Sequence, residues 1–108
     1  MGNQNDNIEA LPELKSRAGN GDAIAQYELA TRLSEAPVPD QIGAFSWFKK
    51  AAEAGHLQAQ YSLGVRHLNG QGTDPNLVEA VRWLNEAAER GHPGAQDSMG
   101  VRYATGQG

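Results

Sequence analysis

Three histidines are the first places to look for chemistry in this chain of 108 residues. His56 and His92 stand 36 positions apart, each directly after a glycine. Two imidazoles brought together by a fold supply half the donors of a tetrahedral zinc site. No third ligand lies at useful spacing, and the chain has no cysteine, so thiolate ligands and disulfides are excluded. Repetition of the surrounding phrase explains why the pair recurs, which assigns both to structural or solvent-facing roles. His67 takes a slot filled elsewhere by Leu33 and Tyr103, that of a tolerated, semi-buried residue. Other catalytic signatures are missing: there is no nucleophile elbow, no phosphate loop and no HExxH. Gly70-Gln71-Gly72 is a turn, too short for a nucleotide fingerprint. Glu86 and Glu89 read as surface acids, and Trp47 and Trp83 as members of an apolar stripe. The expectation is a protein with no catalytic residues, no metal and no cofactor.

The elements that must position these residues come from an internal repeat. GHLQAQYSLGVRHLNGQG runs from Gly55, and GHPGAQDSMGVRYATGQG from Gly91; a fainter copy starts at Gly21. Ala25, Ala59 and Ala95 coincide, as do Gln26, Gln60 and Gln96; Leu29, Leu63 and Met99; and Arg32, Arg66 and Arg102. Between the phrases Ala44 to Ala52 matches Ala80 to Ala88, Trp47 on Trp83. A period in the middle thirties marks stacked helical hairpins. Ala59, Leu63 and His67 keep helical spacing in a first helix, A; Ala80, Trp83, Leu84, Ala87 and Ala88 do so in a second, B. Asn76-Leu77-Val78-Glu79 predicts a capping box at the start of one helix B, with Asp40 at the corresponding place in the other. Gly55 and Gly91 are left-handed stops, and Pro93 suits a first helical turn. Shifted by 34, Leu11 falls on Phe45 and Leu14 on Phe48, so Ile8 to Arg17 is a worn helix B with Pro12 near its first turn. The predicted organisation is a polar tail over 1–7, a capping helix over 8–20, units over 21–54 and 55–90, and helix A of a truncated third unit over 91–108. No hairpin of this kind buries its stripe alone, so each must stack on the next.

The pattern A-Q-Y-x-L-G, then G-x-G, then A-x-x-W-[LF]-x-x-A-A-E-x-G-H resembles the Sel-one-like repeat (SLR), a relative of the tetratricopeptide repeat (TPR). Residues 55–91 carry nearly every marker: Ala59-Gln60-Tyr61, Leu63-Gly64, Gly70-Gln71-Gly72, Ala80, Trp83, Ala87-Ala88 and Gly91-His92. The first unit departs, with Ala30 for the glycine and APVPD for the G-x-G turn; the third has Asp97 for the tyrosine. A plain TPR is the alternative, matching the first period but lacking the G-x-G turn and the A-A-E-x-G-H ending. The resemblance implies an all-α, right-handed α-α superhelix of SLR hairpins, a TPR-like solenoid with helices A lining its concave side. It also implies a protein-interaction adaptor or scaffold.

Charge and hydropathy narrow the partners. The net charge of −4 argues against attraction to nucleic acid, and no apolar run suits a membrane span or a signal peptide. The chain is read as soluble, with the cytoplasm as default, and its partner as a protein or peptide. At about 100° per residue Arg32, Arg66 and Arg102 lie at the border of the exposed helix A face, with Val65 and Val101 well out on it and Glu28 beside them. Together they would make a groove for an extended peptide with acidic and apolar residues. The bland reading is that arginine is a good helix former with a solvated head, and that the chain is a spacer within a longer array. The last helix has no following helix B, which predicts an open edge of Ala95, Met99, Gly100 and Tyr103 and a weak homodimer through it.

Overall fold

In the computed structural model, residues 9–104 are described, with side chains as far as Ser98. For Met99, Gly100, Val101, Arg102 and Tyr103 only the helical backbone is described, so the readings placed on their surfaces lie outside the described residues. Among the described residues the order is α1 (Leu11–Gly19), α2 (Ala23–Glu35), α3 (Gln41–Glu53), α4 (Leu57–Asn69), α5 (Leu77–Glu89) and α6 (Pro93–Ala104). Each helix packs chiefly on its neighbours in chain order, within extents of 56 × 26 × 26 Å. The result is a stack of hairpins whose contacts are local, as expected for repeats.

Alternation of small and large side chains sets the spacing. Leu14 and Ala18 of α1 pack with Ala25 and Leu29 of α2. Ala30, Ala44, Phe48, Ala51, Ala52, Ala59, Leu63 and Trp83 form the central cluster, and Leu84, Ala87 and Ala95 a third. Leu14, Leu29 and Leu63 are fully buried, each contributing about 1.5–3 kcal/mol. Gly64 is needed for close approach: a Cβ there would lie 2.8 Å from Leu84 Cγ. Trp83 is buried as the stripe requires, whereas Trp47 is only half-buried at the edge of two clusters.

Turn chemistry explains how the hairpins close. Gly70 ends α4 in the left-handed conformation, φ 71°. Gly72 follows at φ 77°, and a Cβ there would fall 2.0 Å from the Gln41 carbonyl oxygen. The second G of the G-x-G turn is thus pressed against the start of α3. At the start of α5 the Glu79 amide donates to Asn76 Oδ1 at 3.0 Å, but the expected box is only half made. Glu79 turns to Arg82 instead, at 2.9 Å, and the Asn76 amide donates to the His67 carbonyl. A cation within reach outcompetes a neutral amide for the carboxylate.

Candidate functional site

Each passage from a helix B into the next helix A is built alike. Gly21, Gly55 and Gly91 hold φ of 98°, 95° and 94°. Their amides donate to Ala18, Ala52 and Ala88, and those of Asp22, His56 and His92 to Arg17, Ala51 and Ala87. That double closure satisfies the carbonyls left orphaned at a helix C-terminus. The residue after the glycine then caps the next helix. Ala25 N–H donates to Asp22 Oδ1 at 3.1 Å, Ala59 N–H to His56 Nδ1 at 3.1 Å, and Ala95 N–H to His92 Nδ1 at 3.2 Å. The histidines first considered as metal ligands are helix caps, each with its Nδ1 engaged. Among the described residues no group of three or more His, Cys, Asp or Glu could hold a metal ion.

A glutamine contact tightens all three joints, and a stacked ring pair tightens the two that carry a histidine. Gln26, Gln60 and Gln96 donate through Nε2 to the carbonyls of Ala18, Ala52 and Ala88, at 3.0, 3.2 and 3.1 Å. His56 stacks on Tyr27 with ring centroids 4.7 Å apart, and His92 on Tyr61 at 4.3 Å, both with ring planes 13° apart. Because His92 Nδ1 accepts, Nε2 carries the proton and donates to Gln58 Oε1 at 2.6 Å. The recurring Gly-His and Gln of the sequence were the visible signal of this joint. What sequence reasoning missed was that a histidine can replace the aspartate of the first unit as a cap.

The arginine row comes apart. Arg32 is half-buried and pairs with Glu28 one turn away, at 2.6 Å. Arg66, expected at the border of an exposed face, is buried at 8% exposure. Its guanidinium donates to Gln41 Oε1 and Ser34 Oγ, both at 2.8 Å, and lies 4.6 Å from the centre of the Phe48 ring. Position 62, one turn back, is serine where the first unit has Glu28, so Arg66 finds its acceptors on α2 and on α3. Burial pushes its pKa below the ordinary arginine value. Val65 is likewise not well out in solvent: it is half-buried against the cluster of Leu84, Ala87 and Ala95. Ala95, expected on an open edge, is fully buried because α5 covers it. His67 is buried beside Phe45, ring centroids 5.2 Å apart, and its Nδ1 has no hydrogen-bond partner. Its pKa is held down by burial.

Comparison with known proteins agrees with this architecture. The family model of the Sel1 repeat matches residues 23–56 and again 57–92. No curated protein matches the chain. A crystal structure of a protective antigen present in uropathogenic Escherichia coli strains, displaying an SLR fold, is 40% identical with a TM-score of 0.82. It is matched over 91% of this chain and 21% of its own. A Sel1 repeat protein from Oxalobacter formigenes is 33% identical with a TM-score of 0.79, over 84% of this chain and 27% of its own. The chain thus spans about a fifth to a quarter of the length of these two solved proteins.

Proposed function

This chain belongs to the Sel1 repeat family, and on that premise we propose that it is a non-enzymatic scaffold segment holding a protein or peptide partner along the concave side formed by α2, α4 and α6. Sel1 repeat proteins are generally protein-interaction modules. The observation that carries the reading is the stacking itself: hairpins in line, each resting on its chain neighbours, over an extent of 56 Å. Such a stack presents the same helix face unit after unit, which suits an extended segment. Glu28, Arg32 and Val65 are the described residues assigned to contact, together with Arg102 and Val101 beyond them. Arg66 holds the floor rather than meeting the partner, because its donors are turned to Ser34 and Gln41.

Affinity capture from an extract of the source cell, with the immobilised chain as bait, tests this. The comparison bait is E28A/R32A/V65A, first checked for a parental circular dichroism spectrum and melt. A partner held by the parent and lost by the variant supports the assignment; equal retention overturns it. One observation favours a second reading, a spacer within a longer array: both described arginines of the row find their acceptors inside the chain. A longer array that retains a partner in the same extract, while this segment retains none, would favour the spacer.

No helix among the described residues is long and apolar enough to cross a membrane.

A further inference from the structure

The first repeat joint differs from the next two in the group that caps it. Asp22 offers a carboxylate, and Arg17 holds that carboxyl below its ordinary range through a side-chain hydrogen bond. His56 and His92 offer an unprotonated ring nitrogen. An imidazolium has two N–H donors and no acceptor. Protonation of Nδ1 would therefore set one N–H against another, that of Ala59 or of Ala95. It would also place a positive charge at the positive end of a helix dipole. Turning the ring to present the other nitrogen would disturb the stack on Tyr27 or Tyr61, and His92 Nε2 already serves Gln58.

We propose that His56 and His92 are acid-sensitive latches of the second and third repeat joints, closed by the neutral imidazole and loosened by its protonation, while the Asp22 joint stays closed. His56 meets Tyr27 of α2, and the Arg90 cation at the end of α5 lies near it. His92 meets the uncharged Tyr61 and Gln58 of α4. No carboxylate hydrogen-bonds either ring among the described residues. His67 acts in the same direction: it is buried on α4 with an unpartnered Nδ1, faced by Lys49 from α3 and by Glu79 and Arg82 from α5.

Burial, and then Arg90, holds His56 below the ordinary imidazole value; burial does so for His67. The unfolded chain thus binds these protons first. Their contribution to stability is complete above about pH 6.5 and is lost as the pH falls through the depressed values. The latch stands apart from the scaffold reading, since it needs no partner.

Amide hydrogen exchange by NMR on the 108-residue chain, expressed as protection factors at pH 7.5 and pH 5.0, tests it. The Ala59 and Ala95 amides should lose protection at pH 5.0, while the Ala25 amide keeps its own. The variant H56D/H92D writes the cap of the first joint into the other two. It should hold the Ala59 and Ala95 amides at pH 5.0 and flatten most of the fall in melting temperature, leaving the part due to His67. Removing His67 with H67L, after Leu33 at that slot in the first unit, should leave the loss at Ala59 and Ala95 intact. Unchanged protection of Ala59 and Ala95 in the parent would overturn the proposal, and that reading does not depend on the variants folding. So would an H56D/H92D protein that folds and loses as much protection as the parent.

Discussion

Arg90 and Gln60 are joined from the end of the second repeat unit back to its start: the guanidinium donates to the Gln60 side-chain oxygen at 3.0 Å and to the Gly55 carbonyl at 2.8 Å. The equivalent oxygen in the first unit, Oε1 of Gln26, is buried with no partner. The reason is a single residue. Position 54, which corresponds to 90, is alanine. The two backbones agree, with Ala54 at φ −82°, ψ 0° and Arg90 at φ −87°, ψ 3°.

Ala54→Arg should therefore stabilise the protein. The new guanidinium would meet Gln26 Oε1 and the Gly21 carbonyl as Arg90 meets their counterparts. A gain of about 1 kcal/mol is expected, enough to raise the melting temperature by about 4 °C or more in a chain of this size. Thermal circular dichroism decides; an unchanged or lowered melt would mean that the position cannot reach.

Gln60→Ala should cost about 1–3 kcal/mol, since it removes a donor from the Ala52 carbonyl and an acceptor from Arg90. Gln96→Ala should cost less than about 1 kcal/mol, because that contact is solvent-exposed. Urea unfolding of both variants gives the comparison, and equal losses would contradict the burial difference.

Arg66→Gln and Arg32→Gln should differ although the residues occupy the same repeat position. Arg66 makes two charge-assisted bonds in a buried setting, so its loss should cost about 1.5–3 kcal/mol. Arg32 contributes a half-exposed pair one turn apart, worth about 0.2–0.5 kcal/mol. Denaturant melts in low and high salt test this, with salt narrowing only the Arg32 effect.

Trp83→Ala should cost about 3–5 kcal/mol, comparable to the whole stability of a domain this small. Its ring lies in the central cluster with Phe48 and Leu63, 7% exposed, with Arg82 stacked 4.5 Å from its centre. A melt within a degree or two of the parent would show that the ring does not hold these helices together.

The repeat was legible from single residues. Gly55 and Gly91 announced the helix stops because a left-handed backbone costs glycine nothing, and Trp83 and Leu84 announced the buried stripe because a helix turns every 3.6 residues. Asn76 and Asp40 were readable as caps from their short polar side chains beside an amphipathic run. The roles of His56 and His92 were not readable in this way. The histidines reach the next helix's third amide with their rings stacked on Tyr27 and Tyr61, which belong to the preceding helix A and come beside them only in the stack.

Period and residue type therefore determined the family, the all-helical architecture and which stripe faces inward, since all three follow from spacing along the chain. The fates of Arg66, Arg32 and Gln26 were decided only by the stack. Periodicity places a residue on a face of its own helix, but whether a long polar side chain ends in water depends on what neighbouring helices bring within its reach. For Arg66 these were Ser34 and Gln41, 32 and 25 positions earlier; for Gln26 it was Ala54, too short to arrive.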